Sequence, residues 1–247
     1  MIRFSAVIGT ALICSASLFL GAAAAPPVPA YVTAAVNDAG RNAEQRTNDA
    51  VRKPAAVVAF SGMKAGDKVV DFLPGGGYYT RIFSKVVGAN GHIYAAVPAE
   101  NVARRADADA AVKALAAAGY ANVSVINPAM AAFTAPEPVD IVWTSDNYHD
   151  MKNANDPAAM AALNKSIFNA LKRGGLYFVV DHRAAAGSGL THTRTLHRID
   201  PEAVKAEILA AGFVFEGESD VLNVAGDDLT AHSTFATSQF VFRFRKP

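Results

Sequence analysis

Apolar residues alternate between two spacings along most of the chain. Lys68-Val69-Val70-Asp71-Phe72-Leu73 reads as a buried strand. After three glycines, Ile82, Phe83 and Val86 fall on one face of a helix. His92 to Val97 predicts a second strand, a helix from about Ala103 to Ala118 is closed by Gly119, and Val123 to Ile126 and Val139 to Ser145 predict two more strands. Asp156 and Pro157 open the clearest helix, whose apolar face is Met160, Leu163, Ile167, Phe168 and Leu171. Gly174-Gly175 ends it, and Leu176 to Val180 is a fifth strand. Asp200-Pro201 repeats the start signal for a last helix running to Gly212, and Val214 to Leu222 and Gln239 to Arg245 are the final strands. Strands alternating with helices predict an α/β fold, a parallel sheet covered on both faces. Two consecutive strands after the last helix require an antiparallel pair at one edge.

The N-terminal part follows other rules. Arg3 is followed by an uncharged run from Phe4 to Leu20, then Gly21-Ala22-Ala23-Ala24-Ala25 and the breaker Pro26-Pro27-Val28-Pro29. That order predicts a secretory signal peptide over residues 1–25 and a periplasmic or secreted protein. Cleavage would remove Cys14, the single cysteine, leaving no thiol chemistry and no stable membrane insertion. Residues 26–66 read as a leader: an extended piece, a polar helix from about Asn37 to Val51, and an apolar segment from Pro54 to Phe60. Residues 67–247 form the main domain.

Composition narrows the partners. The chain is 51% hydrophobic with a formal net charge of +1, so no basic field attracts nucleic acid and no polybasic stripe attracts membranes. A small-molecule substrate is the expectation, with the oligomeric state left open. None of the six histidines has the spacing of a metal motif, and no metal ligand is assigned.

Asp71-Phe72-Leu73-Pro74-Gly75-Gly76-Gly77-Tyr78-Tyr79-Thr80 lies where the first strand turns into the first helix. Glycines there let backbone approach a ligand, and the helix start offers free N–H groups. A dinucleotide fingerprint fits poorly, because Thr80 stands at its third glycine. This stretch, with Arg52-Lys53-Pro54, Gly66-Asp67, Asn147-Tyr148-His149-Asp150, Gly174-Gly175-Leu176-Tyr177, Leu196-His197-Arg198-Ile199-Asp200 and the terminal Phe242-Arg243-Phe244-Arg245-Lys246-Pro247, resembles a family of predicted exported class I S-adenosylmethionine-dependent methyltransferases. The resemblance implies a three-layer, Rossmann-like methyltransferase fold: a seven-stranded, mostly parallel sheet with an antiparallel C-terminal hairpin. It also implies S-adenosylmethionine as cofactor and methyl transfer to a small nucleophile. Cofactor-binding candidates are Asp71, Pro74, Gly75, Gly76, Gly77, Tyr78, Glu100, Asp146 and Asn147. Three positions depart from the pattern: Leu73 replaces the first glycine, Val97 stands where a ribose-binding acid ends the second strand, and Asn127 follows the third strand where an Asp is common. Glu100 is the candidate substitute for the missing acid.

Ligands of open α/β sheets sit beyond the carboxyl ends of the strands. Asp146 to Asp150 and Asp181-His182-Arg183 both fall there, so His149 and His182 are candidate general bases, oriented by Asp150 or Asp181. The catalytic candidates are thus His149, Asp150 and His182. A long segment carrying His192, Arg194, His197 and Arg198 follows, a candidate lid whose cations would hold an anionic substrate. Two other readings stay open: a non-catalytic binding protein on the same fold, and a hydrolytic or metal-assisted enzyme using the His149/His182 crevice.

Overall fold

The computed structural model describes residues 27–247. The expected signal peptide and Cys14 lie outside these residues.

Seven strands form one sheet in the order β3-β2-β1-β4-β5-β7-β6. They are β1 (Lys68–Phe72), β2 (His92–Ala96), β3 (Val123–Ile126), β4 (Val139–Ser145), β5 (Leu171–His182), β6 (Val214–Ser219) and β7 (Gln239–Arg245). The first five pair in parallel, while β7 runs antiparallel to both β5 and β6. This is the expected mostly parallel sheet with an antiparallel C-terminal pair. Apolar side chains fill two cores, one on each face. Trp143, Phe178, Phe83 and Ile82 lead the first, and Phe72, Tyr148, Tyr177 and Phe242 the second.

The helices are α1 (Ala30–Val36), α2 (Ala43–Arg46), α3 (Asp49–Arg52), α4 (Pro54–Ser61), α5 (Tyr78–Val87), α6 (Ala99–Arg104), α7 (Ala110–Ala117), α8 (Tyr148–Ala154), α9 (Pro157–Ala170) and α10 (Pro201–Ala210). Asp156 and Asp200 cap α9 and α10 as expected, each accepting a backbone N–H, from Ala159 and Glu202. The leader differs from the expectation. The piece read as extended is helix α1, and its Val32, Ala35 and Val36 are buried in the first core. The polar helix read from Asn37 to Val51 is broken into α2 and α3. The helix read from Ala103 to Ala118 is likewise two short helices, α6 and α7. Strand β5 begins at Leu171, five residues before the expected start, and Gly174 turns inside it at φ +75°.

Candidate active site

The crevice is built where β1 and β4 end side by side. After Phe72 the chain turns through Leu73, whose φ is +60°. Leucine therefore holds the left-handed conformation that the absent glycine would adopt freely, at a cost of about 1–3 kcal/mol. The Gly77 N–H donates to the Pro74 carbonyl at 2.9 Å and closes the turn. Gly77 itself starts α5 at φ +75°, and a Cβ there would lie 3.1 Å from Leu115 Cδ1. Its role is close packing against α7, whereas Gly75 and Gly76 are exposed.

Asp71 is buried at the floor and accepts a hydrogen bond from the Thr80 hydroxyl at 2.6 Å. Burial raises its pKa to about 6, although Thr80 and the positive Arg52 pull the other way. Asp71, Leu73, Gly76, Tyr79, Asp146 and Arg52 line a cavity of about 130 Å³. The Asn147 side-chain amide donates to the Leu73 carbonyl at 3.1 Å and to the Ser145 carbonyl at 2.6 Å. Asn147 thus ties the β4 loop to the glycine loop instead of facing the cavity.

Sequence reasoning did not select Arg52 as a site residue, although the Arg52-Lys53-Pro54 motif contains it. Its guanidinium donates to Asp146 Oδ2 at 2.8 Å and to Ser145 Oγ at 3.3 Å. It lies over the rings of Tyr78, Tyr79 and Phe235 at 4.4, 5.0 and 4.4 Å. The leader makes further contacts with the glycine loop. The Gln45 amide donates to the Gly76 carbonyl at 2.8 Å, and the Tyr78 hydroxyl donates to Asp49 at 2.6 Å. Arg41 holds Asp49 with two hydrogen bonds of 2.8 Å. The leader is therefore a strap across one side of the crevice.

The second-strand end does not supply a ribose acid. Val97 is buried in the first core, and its carbonyl accepts from the Asn127 amide at 2.9 Å. Both Glu100 carboxylate oxygens accept from the Met130 N–H at 3.1 Å, so the proposed substitute is engaged with backbone. The physical reason is local: α6 begins at Ala99, and its first-turn acid reaches an orphan N–H in the segment after β3.

Beyond β4 and β5 the histidines gather. Asp181 is fully buried and accepts from the His149 backbone N–H at 2.8 Å and from the His182 N–H at 2.7 Å. It also lies 2.7 Å from His149 Nδ1. Asp181, not Asp150, therefore orients His149. Burial alone would lower the His149 pKa, but the Asp181 hydrogen bond and charge outweigh it and hold the imidazole above its ordinary value. His182 goes the other way: burial lowers it despite Asp146, whose Oδ1 lies 3.8 Å from His182 Nε2. His182 is the neutral imidazole next to the crevice at pH 7. Its Asp146 neighbour also accepts from the Gln239 amide.

The segment expected to offer free cations is anchored. Arg198 is fully buried and pairs with Asp227 through bonds of 2.9 and 3.0 Å, and it donates to the Arg183 carbonyl at 2.9 Å. Arg194 donates to the Asn153 carbonyl at 2.5 Å. These two arginines hold the loop in place, so a role for them in gripping substrate is not supported.

No protein-family model and no curated protein matches the chain. Solved structures match by fold. A SAM-dependent methyltransferase from Aquifex aeolicus superposes with a TM-score of 0.56 at 18% identity, over 81% of this chain and 93% of its own. The glycopeptide N-methyltransferase MtfA gives 0.55 at 15% identity over 81% and 96%. The [4+2]-cyclase SpnF gives 0.57 at 16% identity over 85% and 86%. The chain thus has the class I methyltransferase fold, which also serves a protein named for a different reaction.

Proposed function

We propose that this protein transfers a methyl group from S-adenosylmethionine to a small nucleophile. The observation that carries the reading is the cavity between the glycine loop and Asp146, with a buried carboxylate at its floor. The chemistry of the lining fits the aminoacyl end of such a donor: Asp71 suits an ammonium group, and exposed Gly76 leaves backbone accessible at the rim. The ribose end is less well provided, since Val97 is buried and Glu100 is engaged. When bound, S-adenosylmethionine supplies an electrophilic methyl group. Asp71 and Gly76 would hold it, and His182, neutral beside Asp146, would take the proton from the acceptor's hydroxyl or amine. Alignment of the two reactants accounts for most of the rate on this reading. The names of the Aquifex and MtfA structures support it.

The expected outcome for His182→Gln is a loss of about a hundredfold in kcat with donor affinity unchanged. Release of demethylated donor, followed across a panel of phenols, amines and carboxylic acids, is the assay; equal turnover by the variant would remove His182 from the chemistry. A second reading, a binding protein without turnover, is favoured by the closed ribose end. We also place the protein outside the cytoplasm, on the residues from Arg3 to Ala25. Its mature N-terminus should then begin near Ala25 or Pro26, and intact Met1 in the native protein would contradict export.

A further inference from the structure

We infer that His149, Asp150 and His197 form a binding site for one divalent transition-metal ion of the zinc class. Three potential ligand atoms face one another: His149 Nε2, Asp150 Oδ1 and His197 Nδ1. Their separations are 3.2 Å between the two nitrogens, 3.4 Å from His149 Nε2 to Asp150, and 3.6 Å from His197 Nδ1 to Asp150. Tetrahedral bonds of about 2.0–2.1 Å place neighbouring ligands about 3.3–3.4 Å apart, whereas octahedral ones place them at about 3.0 Å. The triangle matches the tetrahedral edge and leaves the fourth position for water or a ligand.

The donor chemistry of the three groups suits the same ion. His149 Nδ1 is committed to Asp181, so its Nε2 presents a lone pair whenever the ring is neutral. That lone pair faces an imidazole nitrogen and a carboxylate oxygen, the nitrogen and oxygen donors that a zinc-class ion takes. The buried Asp181 behind His149 is the carboxylate–histidine support that metal ligands commonly have.

The ligands are fixed from three sides. Tyr148 anchors α8, being buried with its hydroxyl donating to Glu207 at 2.9 Å and accepting from Asn164 at 2.8 Å. Arg198, sealed against Asp227, pins the residue next to His197. His197 itself is held at φ +50°, a conformation that a non-glycine residue adopts at a cost. Asp150 and His197 are 54% and 41% exposed, so an ion enters from solvent. The site is independent of the methyl-transfer reading.

Titration calorimetry of the chelator-treated protein with Zn²⁺ tests it, with Co²⁺ absorption as a report of geometry. One equivalent should bind, giving the visible bands of tetrahedral cobalt. His197→Ala and Asp150→Asn, both at exposed side chains, should each weaken binding at least a hundredfold. His92→Ala, on a different part of the sheet, should leave it within threefold. Absence of saturable binding, or equal binding by wild type and both ligand variants, overturns the site. A folded circular dichroism spectrum for each variant keeps loss of binding distinct from loss of structure.

Discussion

Arg52→Met is expected to lower stability by about 3–5 kcal/mol, roughly 6–20 °C in melting temperature for a chain of this size. The guanidinium is 11% exposed and its partner Asp146 is 14% exposed, so neither charge is well solvated. Methionine fills similar volume among Tyr78, Tyr79 and Phe235 but leaves the Asp146 carboxylate without its cation. Burial already pushes the Asp146 pKa up, with Arg52 the main opposing influence. Losing Arg52 forces the carboxyl to take a proton or the fold to open. His182 and Gln239 remain near Asp146 and limit the loss. The pair can be apportioned by adding Asp146→Asn: the double variant should recover much of the stability lost by Arg52→Met alone. Thermal or urea melts of the four proteins decide it, and strictly additive losses would show that the two side chains do not depend on each other.

Asp71→Asn should act in the opposite direction on stability. The folded-state pKa of Asp71 is raised from 3.8 to about 6. Between those values the native state holds a proton that the unfolded chain has released, so stability falls as pH rises through the window. The charge therefore costs about 3 kcal/mol above pH 7 and nothing below pH 4. Asparagine removes the charge while its carbonyl oxygen can still accept from Thr80. The variant should match wild type near pH 4 and exceed its stability by up to about 3 kcal/mol at pH 8. In the same protein, donor affinity should drop roughly ten- to a hundredfold, because an ionised acceptor is lost. Melting curves at the two pH values test the first part. A variant less stable at pH 8 would mean that Asp71 is held by a partner stronger than burial. The pairing of gain and loss is what a binding carboxylate kept at the expense of stability predicts.

Much of the sheet was legible because its signals are local. Short continuous apolar runs, the Asp-Pro starts of α9 and α10, and the lack of any α-helix between β6 and β7, where only a short 3-10 turn at Asp220–Leu222 follows β6, each reside within a few residues of chain. The crevice was legible only in outline. Asp71, Asp146 and His182 fall at strand ends whatever the packing, and strand ends are predictable. The pairing of Arg52 with Asp146 joins residues 94 apart, and His149 meets His197 across 48. No periodicity carries such distances. Glu100 illustrates the converse. Its place after β2 suggested a ligand, yet helix α6 turns its carboxylate onto the Met130 N–H. The leader was misread for a similar reason. Ala30–Val36 has too few residues to show a helical period, and burial of Val32 and Val36 against the first core decides its form.

On the proposed function, the crevice at Asp71 and the glycine loop takes S-adenosylmethionine. Titration calorimetry of the protein with S-adenosylmethionine and with its demethylated product tests this most directly. One saturable site for each is expected, the two mutually competitive and both weakened in Asp71→Asn. No detectable heat for either compound with folded wild-type protein would contradict it, and would mean that the fold serves a different ligand.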